Sequence, residues 1–409
     1  MKMNEGRLRK YANLIATMGV NVKKGQRVAI YAELDQPAFV TMVAEECYKA
    51  GAAKVSVNFN HQPLTALDVA YCSDEILGEV EPWFLQKWEY QAETLPAKIF
   101  LLSEDPDGLS GIDQAKYSKG LASRQKQIKP IRTRMENRYP WCIAAVPGAA
   151  WAKKLFPDLS EKAAIEKLWR AILDTSRVTT NPVTAWKKHN RDLAKKCKVL
   201  NGLGIESLHY TASNGTDLTV GLLPDGTFCA GEEKTIGGQS FNPNIPSEEV
   251  FTSPKRGAAE GIVYSSMPLS YDGQLIDKFW LKFEGGKVTD LGAEKNEALL
   301  REIVSMDEGA AYLGECALVP YSSPIRKSGI LFYNTLFDEN AACHLALGMG
   351  FTNTLKDYEK YTEDECHARG INDSIVHEDF MIGTPDLSIT AKTRDGKEIA
   401  IFKDGEWAF

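Results

Sequence analysis

The sequence predicts an α/β protein of two domains with different textures. An amino-terminal alternating α/β domain with a largely parallel sheet covers residues 1–188, and a carboxy-terminal α+β domain rich in hairpins covers 189–409. Three observations carry this. The first half alternates short apolar runs with stretches of helical period, the pattern of strand–helix–strand units. From Ser207 onward strand-like runs are separated by Asn-Gly and Asp-Gly turns. And 409 residues exceed what one ordinary core accommodates.

In the first half, Arg27 to Glu33 (RVAIYAE) reads as a buried strand, and Pro37 to Ala50 as a helix that ends at Gly51. Ala53 to Phe59 is a second strand with Val55, Val57 and Phe59 on one face; Ala97 to Ser103 and Trp141 to Val146 are the third and fourth. Helices are expected over Asp74 to Thr94 (interrupted or restarted at Pro82), Ile112 to Ile128 and Glu161 to Ser176. In the aromatic cluster Trp83, Phe84, Trp88 and Tyr90, Phe84 and Leu85 stand four and three residues before Trp88, helical spacing that favours one packed face over a docking surface. No Gly-rich loop follows the first strand, where YAELDQP stands instead, and this weighs against dinucleotide binding.

A long polar helix around Trp186 to Leu203 leads into the second texture. Asn214-Gly215 and Asp225-Gly226 are hairpin signals, Phe279 to Phe283 precedes Gly285-Gly286, and a helix is expected from Asn296 to Val304. Two closing hairpins turn at Asp395-Gly396 and Asp404-Gly405.

Lys plus Arg number 48 against 55 for Asp plus Glu, a net charge of -7, with no basic stripe of the kind nucleic acid requires. The basic stretches Arg124 to Arg134 and Lys187 to Lys198 read as solvated helix faces. The amino-terminal stretch lacks an apolar core long enough for a signal peptide, and no segment approaches a membrane span. Eight cysteines are scattered without a CxxC pair, so reduced thiols and a cytoplasmic location are expected.

The chemistry gathers in the later half. His377 and Asp379 in IVHEDF project together if the segment is a strand. Upstream stand Glu249 in PSEEVFTSP, Glu315 in YLGECALVP, and Glu339 with His344 in LFDENAACHLALG. Four carboxylates and two histidines supply what two divalent cations need, hard oxygen ligands with one imidazole each. Plainer readings stand beside each. Glu248-Glu249 alone reads better as a solvated acidic pair. His344 falls in an apolar stretch expected to be a helix running from Ala341, capped by Asp338 or Asn340, where a lone His is more often a core residue. Glu315, flanked by Gly314 and Cys316 in an apolar run, leans towards function because a buried carboxylate needs a cation or hydrogen bonds. His61, His189, His209 and His367 read as structural or surface groups. Neither a GxSxG elbow nor an HExxH pair is present.

Taken together, PSEEVFTSP, SYDGQLI, YLGECALVP, LFDENAACHLALG and VHEDFMIG resemble the aminopeptidase T and aminopeptidase S family of metallopeptidases. VKKGQRVAIYAELDQPAF and PGAAWAKKLFP extend the resemblance over nearly the whole chain. It implies a cytoplasmic, homodimeric exopeptidase acting on short peptides with two metal ions, zinc or cobalt. It also implies the ligands Glu249, Glu315, Glu339, His344, His377 and Asp379, with Glu315 bridging and catalytic; Glu315 and Glu249 are both candidates for carrying the proton. In one respect the chain departs from the family: Phe351 stands where a Tyr is usual, and Tyr333 and Tyr321 are the candidates to replace its hydroxyl. The expectation is a metal-dependent aminopeptidase. The alternatives are a different metal-dependent hydrolase, or a non-catalytic peptide-binding homologue.

Overall fold

The strands β1 (Arg27–Glu33), β2 (Lys54–Asn60), β3 (Ala97–Leu102) and β4 (Trp141–Ala145) form a parallel sheet in the order β2-β1-β3-β4. The computed structural model describes residues 5–271 and 273–409; Met1 to Asn4 of the amino-terminal stretch and Asp272 of SYDGQLI lie outside the described residues. A fifth, two-residue strand, Asn244–Ile245, adds parallel to β4. Val28, Ile30, Ala32, Ile99 and Leu101 are buried, as parallel strands covered by helices require.

Two compact units result, one of residues up to 187 together with 232–246, the other of 188–231 with 247–409. The segment 232–246, which sequence texture groups with the second domain, thus belongs to the first unit. Its strand is two residues long, too short for periodicity to reveal.

Within the first unit the aromatic cluster departs from expectation. The helix Pro82–Thr94 packs only part of it: Trp83 is 60% and Tyr90 48% exposed, while Phe84 and Trp88 are half-buried. The sheet face beneath is mixed, with Ala29, Phe100 and Ile143 alongside its polar groups. It presents Tyr31, hydrogen-bonded to Gln91 (2.9 Å), and Lys98, whose Nζ lies 4.5 Å from the Trp88 ring centroid and 4.6 Å from that of Tyr139. β2 is an edge strand, so Val55 is buried while Val57 and Phe59 stay exposed.

The second unit is built on two antiparallel sheets. The larger, of nine strands, includes the hairpin Ile205–Thr211/Asp217–Leu222, which turns at Asn214-Gly215 as its sequence predicts. Asp225-Gly226 makes no hairpin; Gly226 instead bridges to Leu355. The smaller sheet has four strands in the order Val250–Thr252, Leu313–Leu318, His344–Gly348, His377–Met381. No helix among the described residues is long and apolar enough to cross a membrane.

Candidate metal centre

The register of the four-stranded sheet decides where its polar residues meet. Glu315 pairs with Ala346, which pairs with Asp379, so these three form one rung across three strands. His377 precedes Asp379 by two residues and His344 precedes Ala346 by two, which puts all four polar side chains on one face. Phe251 shares the rung of His344 through Ala317, and Glu249 lies two residues before Phe251. The opposite face, with Cys316, Leu318, Leu345, Leu347 and Phe380, is core.

His344 therefore begins a central strand, and the expected helix from Ala341 is absent: a one-turn α-helix, Thr335–Asp338, and a 3-10 turn, Glu339–Ala341, end before it. AACHLALG is uniformly apolar, and such a run does not distinguish a buried strand from a buried helix. Partners on both sides settle it. The small side chain of Ala346, between Glu315 and Asp379, leaves the centre of the face open.

A bulge aims Glu315. The register slips between Leu313 and Glu315, leaving Gly314 as the extra residue. A Cβ there would overlap the carbonyl oxygens of Met349 and Gly348, so glycine is required.

Two overlapping triads result: Glu249, Glu315 and His344, and Glu315, His377 and Asp379, with ligand atoms in each within 4.8 Å of one another. His344 Nε2 stands 3.3 Å from Glu249 Oε2, and His377 Nε2 stands 3.2 Å from Glu315 Oε2 and 3.5 Å from Asp379 Oδ1. Two ligands each about 2.1 Å from a shared ion at tetrahedral angles stand about 3.4 Å apart. The spacing fits.

The tautomers fit as well. His377 Nδ1–H donates to the Met349 carbonyl (2.7 Å) and His344 Nδ1–H to that of Ala342 (3.2 Å), so each ring turns Nε2 to the carboxylates. Ligating histidines are typically oriented in this way. Asp379 Oδ1 is buried with no hydrogen bond of its own. Glu249, expected on its own to be a solvated acid, is buried, and so is Glu248, whose carboxylate stands 3.9 Å from His189. Glu339 is buried but belongs to neither triad; Asn340 Nδ2 donates to its Oε1 (3.1 Å).

Electrostatics follow the crowding. Burial, helped by Asp379 and Glu249, raises the Glu315 carboxyl against the opposing hydrogen bond from His377. Burial and the same two acids hold Glu339 well above the carboxylate range. Burial would lower both imidazoles, but the surrounding carboxylates outweigh it and raise them. Without cations, the site is a set of acids and imidazoles sharing protons.

Phe351 closes one side. Its ring centroid lies 4.7 Å from that of His377 and 5.6 Å from that of Phe251, and its N–H donates to Ser253 Oγ (2.8 Å). The Tyr321 hydroxyl is engaged by Arg326 (2.9 Å). Sequence reasoning missed Asn340 as more than a cap, the bulge at Gly314, and the carbonyls of Ala342 and Met349. A glycine just before a buried Glu was a usable signal for the bulge; backbone carbonyls leave none.

The profile of the thermophilic metalloprotease (M29) family matches residues 4–407. Aminopeptidase AmpS of Bacillus subtilis (strain 168) is 40% identical over 405 residues, covering 98% of each chain. Aminopeptidase 2 of Geobacillus stearothermophilus is 38% identical over 407 residues, 99% of this chain and 98% of that one. The solved structure of wild-type AmpT from Thermus thermophilus superposes with a TM-score of 0.90 at 35% identity, covering 99% of this chain and all of the other. With carboxylates and imidazoles on one sheet face that could hold a metal ion and a match from residue 4 to residue 407, the chain belongs to the thermophilic metalloprotease (M29) family.

Proposed function

We propose that the chain is a metal-dependent aminopeptidase that releases amino-terminal residues from short peptides. Two divalent ions, zinc or cobalt, would be held by Glu249, Glu315, Glu339, His344, His377 and Asp379, with Glu315 shared between them. The observation that carries this reading is the pair of triads overlapping at Glu315 on one sheet face, in a chain whose relatives are named aminopeptidases. When bound, such ions polarise the scissile carbonyl and acidify water.

The chain's own residues supply the rest. Glu249 and Glu315 are the two candidates for the group that carries a proton to the leaving amine, a role typically worth about a hundredfold or more. Phe251 and Phe351 form an apolar wall beside His377 that excludes water from one side. The catalytic machinery belongs in this reading to the domain 189–409. A homodimeric state and a cytoplasmic location complete it, on the family resemblance.

The test is amino-acid release from leucyl or alanyl amide, before and after chelation, with zinc or cobalt then restored. Metal-restored turnover that an acetylated amino terminus abolishes is the expected result. Two bound ions per chain without turnover on any free-amine substrate would sink the reading.

A further inference from the structure

Asn340 lies between Glu339 and the segment bearing Glu249, fully buried, and every polar group of its side chain is used. Its Oδ1 accepts the Glu248 N–H at 2.7 Å. Its Nδ2 donates to the Leu336 carbonyl at 3.0 Å and to Glu339 Oε1 at 3.1 Å. The residue's own carbonyl accepts from Ser323 Oγ at 2.7 Å. The orientation of the amide follows from its partners, because a backbone N–H only donates and a carbonyl only accepts.

We propose that Asn340 is a positioning residue for the Glu249–Glu339 side of the metal centre. It engages one oxygen of Glu339, leaving Oε2 for an ion, and pins the backbone one residue before Glu249. The proposal rests on the metal-site reading above. The physical need is plain: Glu339 is buried among other acids, and a carboxylate there needs a donor to fix which way it faces. Asp338 steadies the same turn from the other side by accepting the N–H groups of Phe332 (2.9 Å) and Asn334 (3.0 Å). Other residues fail at position 340 for identifiable reasons. Asp keeps the acceptor for Glu248 but sets a carboxylate against the Leu336 carbonyl and Glu339. Leu fills the space and strands the Glu248 N–H.

The experiment is a cobalt titration of the full chain, followed by visible absorption and calorimetry, on wild type, Asn340→Asp, Asn340→Leu and Ser323→Ala. For both Asn340 variants, affinity for one ion should fall about 10–100-fold, the usual effect of losing an outer partner of a ligand, with the other ion little changed. Ser323→Ala, which removes the bond to the Asn340 carbonyl and a cap on the N–H groups of Ile325 and Arg326 but no side-chain contact with a ligand, should bind both ions as wild type does. Should Asn340→Leu fail to fold, Asn340→Asp decides the matter, with the unfolding midpoint of its metal-free form confirming an intact fold. Wild-type affinity at both ions in the Asn340 variants, or equal weakening of both, overturns the positioning role alone. A wild type that binds no ion overturns the functional reading and this inference together.

Discussion

The two units bury charge in opposite ways. In the parallel sheet Lys98, 2% exposed, is held between the ring faces of Trp88 and Tyr139; burial, with Arg132 and Lys87 nearby, pushes its amine down to about 8. In the four-stranded antiparallel sheet, Glu249, Glu315, Glu339 and Asp379 crowd around two imidazoles. A lone buried cation is made tolerable by π faces and by giving up its proton. A group of buried carboxylates has no such exit: its members must share protons or take cations. The first arrangement is therefore a pH-dependent cost to the fold, and the second a group of side chains that could hold metal ions.

The sharpest way to break this comparison is His344→Ala. If the antiparallel face is built for binding, the variant loses metal and loses several kcal/mol of transition-state stabilisation, about a thousandfold or more in kcat/KM. Its circular dichroism should match wild type. A metal-replete, active variant would remove the distinction between the two sheets.

Lys98 tests the other side. Its folded pKa lies below its unfolded value, so under about pH 8 both states are protonated and the full penalty of burial is present. Between there and the ordinary lysine range the unfolded chain holds more protons, and stability rises with pH. The gain is on the order of 3 kcal/mol as an upper bound. Denaturant midpoints at pH 7.5 and pH 10.5 should show this alkaline gain in wild type and lack it in Lys98→Met; equal gains in both would mean that Lys98 is not the cause.

Gly314→Ala sharpens the comparison by linking backbone to binding. Accommodating a Cβ against two carbonyl oxygens should cost about 1–3 kcal/mol. Because the strain falls at the bulge that aims Glu315, metal affinity should drop along with the unfolding temperature. A drop in temperature with unchanged affinity would reduce the bulge to a packing feature.

The smallest effect is expected from Phe351→Tyr. The added hydroxyl would sit on a ring already against His377 and Phe251. Metal affinity should stay at its wild-type value while kcat rises, up to about tenfold, less than the roughly hundredfold or more of a fully placed general acid or base. An unchanged kcat would show that the present site already supplies what a hydroxyl would add.

Much of this was legible in the residues. Strand–helix alternation in the first half marked a parallel sheet because strands covered by helices are largely apolar, and RVAIYAE and AKIFLL are so despite Arg27, Glu33 and Lys98. Asn214-Gly215 marked its hairpin because positive φ there suits those residues. The pairing of His377 with Asp379 needed only the two-residue period of a strand, and the odd placement of Glu315 in an apolar run pointed to a charge with a purpose.

Other features depended on partners distant in the chain. AACHLALG carries no period, so only strands on both sides made His344 a strand residue. Asp225-Gly226 resembles Asn214-Gly215, yet Gly226 is drawn to Leu355 by chain that arrives 129 residues later. Trp83 and Tyr90 stay exposed while Phe84 and Trp88 of the same helix are half-buried, a division set by how the helix lies on the sheet. Glu249 became a buried acid only through its place beside His344. By itself, then, the sequence determined which segments become strands and helices and which residue types are available for cation chemistry, since these follow from local period and composition. The tertiary structure alone decided which of those residues share a face and which carbonyls orient their rings, because register, bulges and edge positions arise from pairing between segments that no local pattern encodes.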